Sequence, residues 1–340
     1  MSRVKNQHYV PQLYLQRFAN TSGQIWVFDK VERWSRQMHV RNTASETYFY
    51  DFSDKVMREL EERLSHVPET ELPAEKKRRL LDPQFVEHEL GHMETEFAAL
   101  LSELLETVET TGGFTQDQKE QMAYFLTRQM LRVPEFRSTH LERMLKVVNE
   151  FSKMAVAIKF GESAARRIRV SLDEKRAAYE HARMIYDPKI VKTYMGVLLH
   201  HIWHIGVTDA DRPLYTSDNP VIMRSHLDQD SYGLATPGIE IMFPLSPRHV
   251  LILNDRQYFA LFSDLDRATT RLGPENVLYY NSEQVLKSRR YVYSSVPQFE
   301  LAVDVCATSP EICEPDRERI RMVGGITSWL QEQAEREKGC

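Results

Sequence analysis

The pattern of hydrophobic and polar positions divides this chain into two β-rich ends and a helical middle. Near the start, apolar residues predict a strand at residues 24–29 and a hairpin partner at 34–40. From residue 54 to residue 204 apolar residues recur at helical spacing, which predicts a series of amphipathic helices, the last of them at 188–204. After Thr208 short apolar runs alternate with turn signals, a pattern typical of an antiparallel sheet.

Further helices are expected at 264–271 and 274–287, and a charged helix at 316–337. Together the segments predict an α+β fold, in which a mixed, largely antiparallel sheet is built from both ends of the chain and carries a large α-helical insert. Because two or three short strands rarely stand alone, we expect the strand around 25–28 to join the strands near residue 218. The predicted lobes are residues 1–52 (first part of the β-rich lobe), 53–208 (helical insert), 209–300 (main sheet) and 301–340 (helical tail).

One predicted strand, at residues 214–222, is interrupted by a polar turn. The side chains of Asp218 and Asn219 can bond their own backbone in such a turn, and Pro220 fixes φ and removes a hydrogen-bond donor. A rigid turn beside a sheet is a suitable position for a catalytic side chain. The same pattern is also that of an ordinary strand break, so both interpretations stay open.

Composition restricts the class of protein. The chain has 340 residues, of which 42% are hydrophobic and 27% charged, as in ordinary soluble globular proteins. The net charge of −5 provides no global positive field for nucleic acid, although a local basic patch is still compatible with it. Cys306, Cys313 and Cys340 form neither a disulfide framework nor a zinc spacing. The sequence predicts no signal peptide, and its longest apolar runs are far shorter than the roughly 18 residues of a membrane span. We therefore expect a cytoplasmic protein that does not enter membranes.

Several short motifs follow one another between residues 6 and 295. They are His8-Tyr9-Val10-Pro11 with Tyr14-Leu15 and Phe18, Ile25 to Lys30, Glu46 before Tyr48-Phe49-Tyr50, Arg132-x-Pro134-x-x-Arg137, Thr216 to Val221, Phe243 to Pro247, and Asn281. On these motifs the chain resembles a bacterial family known as domain of unknown function 4238. The resemblance implies no established activity, but it suggests that His8, Glu46, Arg132 and Asp218 belong to one domain and meet in space.

The motif residues include the side chains that phosphodiester hydrolysis needs. A histidine can act as acid or base, carboxylates can orient it or hold a divalent metal ion, and arginine can stabilise phosphate charge. This favours a hydrolase acting on a phosphate-containing substrate, nucleic acid included. A non-catalytic recognition module and a purely structural role for the same residues are the alternatives. The catalytic candidates are His8, Glu46, Asp218 and Asn219, and the substrate-binding candidates are Arg132 and Arg137.

A second histidine pattern has the spacing of zinc metallopeptidases, in which His88 and His92 would bind zinc and Glu89 would be the general base. However, the apolar stripe of the same helix lies on the opposite side, and no clear third ligand follows. We therefore expect this pattern to lie on a solvated helix face. His200 and His204, one turn apart on the predicted 188–204 helix, are a further metal candidate and are equally compatible with capping that helix.

The substitution Asp218→Asn distinguishes a scaffold from a catalyst. Asn makes the same local turn bonds as Asp but has neither the negative charge nor a basic oxygen. From the sequence alone we expect the variant to keep the fold and to lose at least tenfold of any activity, or about 1.4 kcal/mol of transition-state stabilisation.

Overall fold

Strands and helices segregate along the chain in the computed structural model, which describes residues 3–171, 173–227, 232–314 and 317. The strands are β1 Asn6–His8, β2 Gln24–Asp29, β3 Trp34–His39, β4 Ser45–Thr47, β5 Ile202–Val207, β6 Thr216–Ser217, β7 Ile222–Ser225, β8 Ile239–Ser246, β9 His249–Asn254, β10 Thr269–Arg271 and β11 Tyr291–Ser294. The helices are α1 Gln12–Leu15, α2 Asp54–Ser65, α3 Ala74–Leu80, α4 Phe85–Thr111, α5 Gln116–Arg132, α6 Pro134–Phe160, α7 Glu162–Ala165, α8 Glu174–Tyr186, α9 Pro188–His200, α10 Pro274–Lys287 and α11 Glu300–Thr308. This content confirms the α+β class.

The strands form two main sheets rather than the single sheet expected from the sequence. One sheet has the strand order β10-β5-β9-β8-β7, in which β10 and β5 are parallel and the other neighbours antiparallel. The other has the order β3-β2-β11-β6 and is antiparallel throughout. β1 and β4 pair separately. The pairing is therefore mixed and largely antiparallel, as predicted, but divided between sheets.

The N-terminal hairpin belongs to the same sheet as the strand that precedes Asp218. In the pairing of β2 with β11, Val27 lies opposite Tyr293, and in the pairing of β11 with β6, Tyr293 lies opposite Thr216. The first strands thus share a sheet with β6, as predicted, whereas β7, on the other side of Asp218, belongs to the other main sheet. As a result, Asp218 lies beside the segment that enters β11.

Two helix predictions are wrong, and in both places a strand takes over. α9 ends at His200, and β5 begins at Ile202 instead of the helix continuing to residue 204. β5 is buried along most of its length, so its apolar run lacks the alternation that identifies a strand from sequence. Residues 264–271 form the end of the 3₁₀ helix Ala260–Leu265 and strand β10.

Tyr14 connects α1 to both main sheets. Its hydroxyl donates to the carbonyl of Pro244 in β8 at 2.6 Å and bonds the hydroxyl of Thr216 in β6 at 2.6 Å. The ring also stacks on Phe243, with 5.1 Å between ring centroids. Because one buried side chain contacts both sheets, the N-terminal segment helps to fix their relative position.

The long helix α4 packs as its apolar stripe predicts. It ends at Gly112, whose φ of 74° is the left-handed conformation that glycine adopts without strain. The next helix begins with a capping box made by Thr115 and Gln118. The buried residues of α4 include Val86, Leu90, Phe97, Leu101 and Leu104.

The C-terminal part that the structure describes packs against the N-terminal hairpin. α11 and the 3₁₀ helix Pro310–Cys313 follow β11, and Phe299 stacks on Phe28 of β2. The charged helix predicted at 316–337 lies outside the described residues, apart from Arg317. None of the described helices combines the length and apolar character of a membrane span.

Candidate functional site

The carboxylate of Asp218 is surrounded by backbone donors. It accepts N–H bonds from Arg289 at 2.7 Å, Arg290 at 2.7 Å and Tyr291 at 2.8 Å. Its side chain is buried, and burial raises the pKa of Asp218, while the three N–H bonds and the nearby Lys30 ammonium act in the opposite direction. This geometry joins the turn after β6 to the entry of β11.

The neighbouring turn residues are bound to α10. The Asn219 amide donates to the carbonyl of Lys287 at 3.0 Å, and the Ser217 hydroxyl donates to the side chain of Gln284 at 2.7 Å. The Gln284 amide in turn donates to the carbonyl of Pro220 at 3.0 Å. The turn is therefore rigid, and Asn219 remains partly exposed at its surface.

The structure brings His8 and Arg132 together. The buried Arg132 guanidinium donates to the carbonyl of His8 at 2.5 Å and forms an ion pair with Glu94 at 2.7 Å. The Nε2 atom of His8 is buried without a hydrogen-bond partner among the described residues, and burial lowers the pKa of His8. Arg132 therefore pairs with Glu94 and holds the N-terminal segment against α5.

Arg137 forms a second structural contact with the same segment. Its guanidinium donates to the carbonyl of Phe49 at 2.8 Å and to Nδ1 of His181 at 2.9 Å, and lies 3.5 Å from the centroid of the Phe49 ring. Burial lowers the pKa of Arg137 to about 10, and the exposed Glu46 acts in the opposite direction. Burial raises the pKa of Tyr9, and the carboxylates of Asp218 and Glu46 act in the same direction, so both lie within electrostatic range of the Tyr9 hydroxyl.

The zinc-type pattern lies on the helix surface and is bound to local partners. His88 bonds the carboxylate of Asp82 at 2.7 Å, Glu89 accepts from Nε of Arg79 at 2.7 Å, and His92 is exposed. Within the described ranges no group of three or more His, Cys, Asp or Glu side chains is arranged to hold a metal ion. The expected surface location is therefore what the structure shows.

The second histidine pair is not on one helix, which corrects the expectation. His200 is the last residue of α9, and His204 lies inside β5. The ring of His204 bonds Asn254 at 3.0 Å and Thr270 at 3.1 Å. Both ring nitrogens of His204 are thereby occupied by neighbouring strands.

A cleft of about 450 Å³ opens between α6, the turn after β6 and the C-terminal end of α10. Asn219 lines it, as do residues from α6 that the family motifs do not include. Its volume is within the usual range for pockets that hold a small organic molecule. Its apolar walls include Phe136, Val221, Ile222, Met223, Leu234 and Leu286.

The charged side chains of the cleft are one carboxylate, Glu135, and three cations, Arg143, Lys287 and Arg317. Arg143 has no carboxylate within 4.0 Å in the part of the chain that the structure describes, and Lys287 donates to the neutral hydroxyl of Tyr232 at 3.1 Å. Burial, and then Arg143, lower the pKa of His140, which favours its neutral form. The carboxylate of Glu135 lies 3.4 Å from the guanidinium of Arg317 and 4.0 Å from that of Arg289.

Sequence reasoning missed these α6 and α10 residues of the cleft. Phe136, His140 and Arg143 are spaced by four and three positions, which places them on one face of α6 and was a detectable signal. Lys287 carries no such signal, because only the packing of α10 against the turn brings it to Asn219.

A family model described as "Protein of unknown function (DUF4238)" matches residues 6–297. The matched range includes both main sheets and most of the cleft, and it ends before Ile312 and Arg317. No curated protein and no solved structure matches the chain.

Proposed function

Because the chain belongs to the DUF4238 family of proteins of unknown function, we propose its role from the cleft alone: it binds a phosphate-containing organic ligand between α6 and the turn after β6. The observation that carries this proposal is the pair of cations, Arg143 and Lys287, in a cleft with mainly apolar walls. Cations without carboxylate partners favour an anion, and apolar walls favour an organic body attached to it.

The neighbouring residues support a phosphate group in particular. Arginine presents several N–H donors in a planar arrangement that matches phosphate oxygens, and lysine adds a compact charge. Asn219 adds a short polar side chain on a rigid turn. The aromatic rings of Phe136 and Tyr232 offer surfaces on which a planar base or ring can pack.

Hydrolysis of such a ligand is the second candidate. It is favoured by His140, whose lowered pKa keeps a neutral imidazole beside Arg143. A neutral imidazole can accept a proton from water, and the adjacent guanidinium can stabilise negative charge on phosphate. His8, Glu46 and Asp218 stay predicted catalytic residues, but the three N–H bonds to Asp218 support a structural role for its carboxylate.

Calorimetric titration of the full-length protein tests the binding proposal. The probes are inorganic phosphate, adenosine and guanosine monophosphate, and a short single-stranded RNA. We expect at least one phosphate compound to bind, with a Kd that rises at least tenfold in Arg143→Ala and in Lys287→Met, or about 1.4 kcal/mol each. Arg166→Ala is the matched control, because this exposed arginine lies outside the cleft.

Three outcomes distinguish the alternatives. If no phosphate compound binds, or if both cleft variants bind as tightly as the control, the proposal is wrong. Release of inorganic phosphate or of a nucleoside that stops in His140→Ala would establish hydrolysis as the function of the same cleft. Binding without turnover would leave recognition as its function.

A further inference from the structure

Two cysteines that do not themselves line the cleft lie at the ends of one compact turn, and Ile312 between them belongs to the cleft wall. Cys306 is in α11 and Cys313 ends the 3₁₀ helix that follows. The chain reverses between them, since the N–H of Ser309 bonds the carbonyl of Val305 at 3.0 Å and the N–H of Ile312 bonds the carbonyl of Ser309 at 3.2 Å. Both cysteine side chains belong to the same apolar cluster, which also contains Phe28 and Phe299.

A buried lysine ammonium lies near both thiols. Lys30 is 0% exposed, and its ammonium donates to the carbonyls of Val285 at 3.0 Å and Ser288 at 2.6 Å. Burial lowers the pKa of Lys30 to about 8, whereas Cys306 and Cys313 act in the opposite direction, which places them within electrostatic range of the ammonium. The reactive form of a cysteine is its thiolate.

The two thiols differ in access to solvent. Cys306 is fully buried, and burial, followed by the neighbouring Cys313 thiol, raises the pKa of Cys306 to about 12. Cys313 is only partly buried. An oxidant from solvent therefore reaches Cys313 first, and Cys306 remains a protonated thiol next to it.

We propose that Cys306 and Cys313 form an oxidation-sensitive pair that a hydroperoxide converts into a disulfide. The Cys313 thiolate attacks the peroxide oxygen, the O–O bond breaks, and Cys313 becomes a sulfenic acid while hydroxide, or an alkoxide, leaves. The Cys306 sulfur then attacks the sulfenic sulfur, and water leaves with the Cys306 proton. The two sulfurs are oxidised by two electrons in total, and the peroxide is reduced by two.

Peptide mapping of the full-length protein tests the pair without any ligand. Reduced protein is treated with hydrogen peroxide, and the product is digested under non-reducing conditions with a protease that cleaves after glutamate, because Glu311 is the charged residue between the two cysteines. We expect one linked peptide pair joining Cys306 to Cys313 and an intact mass lower by two hydrogens. The variant Cys340→Ser, whose changed residue lies outside the described ranges, is expected to give the same linkage.

Trapping with a sulfenic-acid reagent such as dimedone tests the order of the two steps. Cys306→Ser is expected to accumulate the dimedone adduct at Cys313 at least fivefold above wild type, because the resolving thiol is gone. Cys313→Ser is expected to remain unlabelled at Cys306. A linkage to Cys340, a wild-type protein that keeps both thiols, or labelling first at Cys306 would each refute the proposal. If Cys306→Ser does not fold, the wild-type peptide map still decides.

Discussion

The strongest consequence of the site geometry concerns Asp218→Asn. In the native protein one carboxylate oxygen accepts the N–H of Arg289, and the other accepts those of Arg290 and Tyr291. An amide supplies only one accepting oxygen, so its NH₂ group must face at least one of these N–H donors. The substitution therefore removes a charge-assisted hydrogen bond and leaves a buried donor without a partner.

The expected cost is large. A hydrogen bond to a charged group is worth roughly 1.5 to 3 kcal/mol, and an unsatisfied buried donor adds its desolvation penalty. Asp218→Asn also removes the negative charge near the buried Lys30 ammonium. We therefore expect a loss of roughly 2 to 4 kcal/mol in the free energy of unfolding. This differs from the expectation based on sequence alone, in which the variant keeps its fold and loses only activity.

Urea denaturation followed by circular dichroism measures the effect through the midpoint of the transition at constant slope. The matched control is Asp264→Asn, an exposed carboxylate, for which we expect a change within about 0.5 kcal/mol. An Asp218→Asn protein as stable as wild type would contradict the reasoning. If such a stable variant had also lost phosphate-ester cleavage, Asp218 would be a catalytic residue rather than a structural one.

Three further predictions concern other buried or surface charges. Burial raises the pKa of Glu87 from 4.5 to about 7, so the native state retains a proton that the unfolded state loses, and stability falls as pH rises through that window. Glu87→Gln should therefore be roughly 2 to 3 kcal/mol more stable than wild type at pH 8 and nearly equal at pH 4, as measured by urea denaturation at both pH values. Arg132→Met should lower the free energy of unfolding by about 3 kcal/mol, because it leaves the His8 carbonyl and Glu94 without their partner. The control Arg78→Met, at an exposed position, should change it by less than about 0.5 kcal/mol. Equal effects of the two substitutions in the same denaturation experiment would refute this. Glu89→Gln and His92→Ala should each leave stability within about 1 kcal/mol, and stoichiometric zinc by elemental analysis that disappears in His92→Ala would overturn this.

Regular periodicity made much of the fold predictable. The strand at Gln24–Asp29 and its hairpin partner were recognisable as short segments bounded by turn signals, and the stripe of α4 was recognisable because its apolar residues repeat at the helical period. β5 was not, since a strand buried along most of its length resembles the continuation of a buried helix. The division into two sheets depends on tertiary contacts such as those of Tyr14, which no local pattern reports.

The candidate site was less accessible to sequence reasoning. The rigid turn at Asp218 was recognisable from its Asp, Asn and Pro residues. The hydrogen-bond partners of the Asp218 carboxylate were not, because they are backbone N–H groups at residues 289–291. The cations of the cleft come from positions as distant as Arg143 and Lys287. Neither forms a motif by itself, so only the packing of α6 and α10 around the turn brings them together.

The pairing of β2 with β11 also bears on how the chain is made. The N-terminal hairpin leaves the ribosome long before β11, and Val27 lacks its β11 partner until Tyr293 has been synthesised. The hydrogen bonds of Tyr14 likewise cannot form until Thr216 and Pro244 have been synthesised, 202 and 230 residues later. Contacts of such high sequence separation form slowly, and an unpaired strand edge is prone to aggregation in the meantime. During translation the hairpin therefore presents an open β-edge for most of the chain's synthesis, and a chain that stops before β11 has no means of closing it.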